Sequence, residues 1–271
     1  MIPLVLASTA LFVAAWPASV FAATAPQLGT AQNFTVLAGS TITNTGATVV
    51  TGELGLSPGT SVTGFPPGVV TGTRHITDGA ALQAKNDLIT AYNGAANAPT
   101  TSNLTGQNLG GKNLIPGVYR FSSSAQLTGT LTLSGRGIFI FKIGSALTTA
   151  SHSVVQLTNG AQACQVFWQV GSSATLGTTS RFQGSLMART SITLTTGANV
   201  PAGRLMARSG AVTLDGNRIA RPAGRCLAAA ATTVPETGAL TSVLPGLGLL
   251  LVFGGVASVA IGVRRARAVR R

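Results

Sequence analysis

The strongest constraint on this chain is that it repeats itself every 18 to 20 residues. Displacing 166–176 by eighteen sets Trp168 over Leu186 and Ala174-Thr175-Leu176 over Ile192-Thr193-Leu194. A further step of 19 to 20 sets 184–189 (GSLMAR) over 203–208 (GRLMAR) and Thr193-Leu194 over Thr213-Leu214. Upstream, 138–148 aligns with 166–175 once a longer loop is allowed. Three short strands and glycine turns per repeat are the arithmetic of a β-solenoid, in which each coil buries its apolar side only by stacking on its neighbours. A meandering sandwich would want longer strands and would leave the matched glycine phases unexplained.

Strand alternation sorts the faces. The segments Phe139-Ile140-Phe141, Val166-Phe167-Trp168, Leu186-Met187 and Leu205-Met206 are apolar on both sides of the pleat, as a strand covered on both faces reads. One segment breaks the pattern. Residues 78–98 place Ala81, Leu82, Lys85, Leu88, Ile89 and Tyr92 on one helical face, with Asp78 positioned as cap and Pro99 beyond the end. This single helix is expected to cover the doubly apolar face. A third face, near Val154-Val155-Gln156, Arg181-Phe182-Gln183 and Asn217-Arg218, is charged and less regular.

On the remaining face, Ala174, Leu176, Ile192, Leu194, Val212 and Leu214 point inward, and Ser173/Thr175, Ser191/Thr193 and Ala211/Thr213 point outward. Ala146/Thr148 adds a rung and Thr195 extends one. Rungs about 4.8 Å apart and side chains about 6.7 Å apart along a strand make a flat grid of hydroxyls and methyls. Such a grid is roughly commensurate with oxygen spacings on ice planes. Threonine suits it because its β-branch holds χ1 stiff, while its methyl and hydroxyl together order and tie adjacent water.

Other chemistries lack their residues. Glu53, Asp78, Asp87, Asp215 and Glu236 are the only acidic residues, too few and too scattered for the carboxylate cluster of a solenoid lyase or hydrolase. His75 and His152 are far apart, and no phosphate-cradling loop is present. No catalysis, metal or cofactor is expected. The formal charge of +13 suggests nucleic acid, but Arg264, Arg265, Arg267, Arg270 and Arg271 sit in the last eight positions, and residues 24–237 carry 13 basic and 5 acidic residues, the arginines scattered singly. Nucleic acid is therefore not an expected partner.

Several stretches carry a specific resemblance. NFTVLAGSTITNTG (33–46), GELGLSPG (52–59), GFPPG (64–68), VFWQVGSSATLG (166–177) and GRLMAR (203–208) resemble the DUF3494 type of microbial ice-binding protein over about residues 32–222. The resemblance implies a discontinuous right-handed β-solenoid of triangular section with one long helix alongside, all-β dominated, holding ice on a flat face. Carried over residue by residue, the family's ice-face pattern falls on Ser172-Ser173-Ala174-Thr175, Thr190-Ser191-Ile192-Thr193 and Gly210-Ala211-Val212-Thr213; with the ladder read above, the expected ice-binding residues are Ala146, Thr148, Ser173, Thr175, Ser191, Thr193, Thr195, Ala211 and Thr213. A second reading is a non-catalytic surface adhesin or glycan-binding solenoid using Arg181 and Arg218.

The ends read as addresses. Residues 4–16 are an apolar run too short to span a bilayer and end in small residues, so 1–23 reads as a signal peptide with the exported domain at 24–226. Residues 239–263 carry no charge and run directly into RRARAVRR (264–271), the pattern of a membrane-spanning helix with a cytoplasmic tail. Within the linker 227–238, Val234-Pro235-Glu236-Thr237-Gly238 resembles the sorting signal of Gram-positive surface proteins, which implies sortase cleavage after Thr237 and linkage to peptidoglycan. The protein is expected outside the cell, held by wall or membrane. There Cys164 and Cys226 would by default form a disulfide, two separate thiols being the alternative.

Overall fold

The computed structural model describes residues 23–222. Residues 1–22 of the expected leader, Cys226, the linker 227–238 with its pentapeptide, the apolar span 239–263 and the tail 264–271 lie outside the described residues. Among the described residues no helix is long and apolar enough to cross a membrane.

Every strand pair is parallel, and like stacks on like. Trp168 lies opposite Leu186, which lies opposite Leu205, and Thr175 opposite Thr193, which lies opposite Thr213. The longer upstream loop shifts one register by a residue: Phe139, not Ile138, faces Val166. Three stacks result. Two are joined into one 15-stranded sheet because Arg181–Ala188 and Asn199–Ala207 run through the corner between them, while the third is a separate sheet of seven strands. The recurring glycine sits at that corner. Gly184 has φ +102°, and a Cβ on Gly203, which faces it, would lie 2.3 Å from the Gly184 carbonyl oxygen.

The stack is not in chain order. Phe34–Ala38 and Thr41–Thr45, the first coil in sequence, lie on the last one, Val36 facing Leu205 and Ile42 facing Val212. A second N-terminal coil follows, and the chain reaches that end of the stack at Arg74–Ile76. It restarts at the opposite end, at Ser102–Asn103. The helix Gly79–Asn97, about 28 Å long at 1.5 Å per residue, makes the return. Asp78 caps it, accepting from the Ala81 N–H at 2.8 Å.

The helix buries a stripe rotated from the one its sequence suggests. Ala84, Leu88, Ala91 and Ala95 pack on Phe34, Leu37, Val118, Ile140, Phe167, Met187 and Met206, whereas Leu82 and Ile89 are exposed. Small residues allow the axis close to the sheet, and this rotates the two larger side chains out to the flanks. Lys85 lies at the edge of the contact, buried, its Nζ donating to the carbonyls of Ala207 and Arg208. Within the coils, Tyr119, Phe141, Trp168 and Phe182 stack in a column. The Phe141 and Trp168 rings are 3.9 Å apart and 10° from parallel, and the indole N–H donates to the Gln183 carbonyl. Such pairs add about 0.5–1.5 kcal/mol each to their area burial.

Candidate functional site

The seven-stranded sheet runs, in spatial order, Ala125–Leu127, Leu147–Thr149, Ala174–Leu176, Ile192–Leu194, Val212–Asp215, Thr41–Thr45 and Ser61–Thr63. Its inner side is a continuous apolar layer, with Ala125, Leu147, Ala174, Ile192, Val212 and Ile42 all fully buried. This layer sets the phase of the outer side. One row of outward positions reads Gln126, Thr148, Thr175, Thr193, Thr213, Thr43 and Thr63, each facing the next in register. Six consecutive threonines thus span five rung spacings, about 24 Å.

The sequence pattern places four of the six. Thr43 and Thr63 fall outside the repeat that places the others, although Thr41-Ile42-Thr43 and Ser61-Val62-Thr63 have the form of Ser191-Ile192-Thr193. Sequence order separates Thr43 from Thr213 by 170 residues; the discontinuous stacking makes them neighbours, and the Thr43 hydroxyl donates to that of Thr213 at 3.4 Å.

The flanking positions behave differently. Ala146, Ser173, Ser191 and Ala211 lie beside the threonine row as expected from alternation, and Thr41 and Ser61 continue them. The serine hydroxyls here are engaged between rungs. Ser173 Oγ accepts from the Ser191 N–H at 3.3 Å, and Ser191 Oγ from the Ala211 N–H at 3.2 Å. Thr195 is half-buried and its hydroxyl donates to the Leu176 carbonyl at 2.9 Å, so it braces the corner and offers mainly its methyl. Among the described residues the hydroxyls of Thr148, Thr175, Thr193 and Thr63 have no protein partner and are available to water. The strands of this sheet carry one charged residue, Asp215 at the margin opposite Thr45, and its carboxylate accepts from Thr196.

The corner beside the grid is held by Asn217, which is fully buried. Its side chain donates to the Thr195 and Ala198 carbonyls at 3.0 and 2.9 Å and accepts from the Asp215 N–H at 2.6 Å. Nothing in the repeat pattern marks this residue. Cys164, half-buried in the short turn that leads into Val166–Val170, is disulfide-bonded; Cys226 lies outside the described residues. No group of three or more His, Cys, Asp or Glu able to hold a metal occurs among the described residues.

The ice-binding-like family matches residues 36–220. The ice-binding protein of Nostoc sp. (strain HG1) is 56% identical over 202 residues, covering 73% of this chain and 75% of that protein. The ice-binding protein of Flavobacterium frigoris (strain PS1) is 36% identical over 211 residues, 72% of this chain and 76% of its own. Among solved structures, an ice-binding protein from an Antarctic biological consortium superposes with a TM-score of 0.73 at 47% identity, covering 77% of this chain and 96% of that one.

Proposed function

The chain belongs to the ice-binding-like family, and from this we propose that it holds ice on the face where six threonines stand in register. It binds ice; what the residues add is where and how. The carrying observation is the unbroken row from Thr148 to Thr63 on a sheet whose strands bear one marginal charge. A charge would orient water radially about itself. Methyls at rung spacing, interleaved with hydroxyls lacking protein partners, instead let water near the surface keep an ice-like arrangement. The coils are taken to wind right-handedly with a triangular section, the hand that parallel crossovers favour. No catalytic step enters this reading. The test is direct: residues 24–237, purified, should shape ice crystals and suppress recrystallisation. Ice growth unaffected across a concentration series would refute it.

We further propose that the domain is displayed on the cell surface. The support is the order of the sequence: leader 1–23, domain, Val234-Pro235-Glu236-Thr237-Gly238, apolar span 239–263, basic tail 264–271. A sortase would join the Thr237 carbonyl to a peptidoglycan amine, with the membrane helix holding the chain until then. Mass spectrometry of wall digests should find peptides ending at Thr237 on wall fragments. Protein found only in membrane or medium fractions would remove wall attachment from the proposal.

A further inference from the structure

A groove of about 640 Å³ opens at the corner where the helix-covered stack meets the third stack, remote in the coil from the threonine grid. It is lined by Arg204 and Arg221 with Thr51, Gly52, Thr71 and Gly72. We propose that this groove is a binding site for an oxyanion, a carboxylate or phosphate group.

Arg204 is more than nine-tenths buried, and its Nε donates to the Gln32 carbonyl at 2.9 Å and its Nη1 to Ser185 Oγ at 3.3 Å. Arg221 is exposed, and its Nη1 donates to the Asn33 carbonyl at 3.2 Å. These bonds aim both guanidiniums at the groove, but every partner is neutral. Among the described residues the one ion pair is His75 with Asp78, so neither arginine has a carboxylate within reach. Burying a cation without an anion is costly, and here a second cation faces the same space. Accordingly burial first, and repulsion from Arg221 second, lower the pKa of Arg204 to about 10. A bound oxyanion would neutralise this pair. Guanidinium N–H groups not used on Gln32, Ser185 and Asn33 supply the donors, in the planar fork that matches carboxylate and phosphate. Thr71 Oγ1 already accepts from the Gly52 N–H at 3.1 Å, which leaves its own O–H to donate to a ligand.

The third stack extends the positive potential. Arg181 and Arg218 point outward from it, with Asn199 between them in register. A polymer with repeated acidic groups could seat one group in the groove and run past these arginines, whereas a free anion would use the groove alone. Either leaves the threonine face open, so ice and anion could be held together. This reading does not depend on the ice-binding one.

The experiment follows the arginine Nε resonances of the exported protein while sodium phosphate replaces sodium chloride at constant ionic strength. Saturable shifts at Arg204 and Arg221 are expected, with affinity falling at least tenfold in Arg221→Gln, an exposed change that should leave the near-ultraviolet circular dichroism and ice retention intact. A second arm uses a poly(glycerol phosphate) oligomer at equal phosphate. Tighter binding of the oligomer, weakened several-fold in Arg181→Gln/Arg218→Gln while inorganic phosphate binding is unchanged, identifies a polymer. Equal affinity per phosphate identifies a free anion. Absence of saturable shifts against the chloride control, or an Arg221→Gln affinity equal to wild type, would overturn the proposal.

Discussion

If ice rests on the threonine row as a rigid plane, the cost of an obstacle depends on where in the row it stands. The spatial order is Thr148, Thr175, Thr193, Thr213, Thr43, Thr63. A tyrosine at Thr193 rises well above the neighbouring methyls, and a crystal plane cannot bend round it. The largest uninterrupted stretch left is Thr213, Thr43 and Thr63, three rungs of six. A tyrosine at Thr63 stands at the end and leaves five. Taking one methyl per rung at about 0.8 kcal/mol, Thr193→Tyr loses about 2.4 kcal/mol and Thr63→Tyr about 0.8 kcal/mol. These correspond to roughly 60-fold and 4-fold weaker retention. The Thr193 side chain points outward and makes no hydrogen bond to the described protein, so neither folding nor the strand register should change. Labelled variants frozen round a single ice crystal, across a concentration series, measure the partition directly. Equal loss in the two variants would refute the row as the contact, and a Thr193→Tyr protein retained like wild type would refute the face itself.

Three more expectations rest on particular residues. Gln126 stands in register with Thr148 at the end of the row, so Gln126→Thr should add a seventh rung and strengthen ice retention about fourfold by the same count of methyls, read in the same freezing assay. Asn217→Ala strips three hydrogen bonds from a buried corner, leaving the Ala198 carbonyl and the Asp215 N–H without their partner, while the Thr195 carbonyl keeps the Ala198 N–H. At about 1–3 kcal/mol for each unpaired group it should destabilise by at least about 2 kcal/mol in urea titration. Burial first and Arg208 second lower the Lys85 pKa to about 8, below its ordinary 10.5, so between these values the unfolded chain holds a proton that the folded chain has released. Stability should therefore rise with pH from 8 to 10, by on the order of 2 kcal/mol. Toward the top of that window Tyr119, its pKa raised by burial, acts in the opposite sense, because the unfolded chain releases that proton first. Lys85→Met should remove most of the slope in urea titrations at pH 8, 9 and 10, leaving a smaller part from Lys142, whose pKa burial also lowers.

Four of the six threonines were legible because they recur at the period of the repeat. Thr148, Thr175, Thr193 and Thr213 belong to successive coils, and a period-2 pattern assigns each to a face without knowledge of the whole. The helix was legible in position and cap but not in rotation. Periodicity weights Leu82 and Ile89 above Ala84 and Ala95, whereas the close approach to the sheet favours the alanines.

What the sequence determined by itself is local: strand phase, the glycine corners, the one helix and the outward hydroxyls of each coil. Each follows from interactions within one repeat or between repeats adjacent in the chain. The join between the first and last coils is a tertiary property. That Thr43 follows Thr213, that the row is six long, and that Arg204 and Arg221 share a groove with Thr51 and Thr71 all depend on the N-terminal coils stacking on the last coil. A coil end exposes unpaired backbone groups and apolar side chains to any coil of matching register, and the helix is long enough to let the first coils reach the last. No spacing in the chain records which end they will choose.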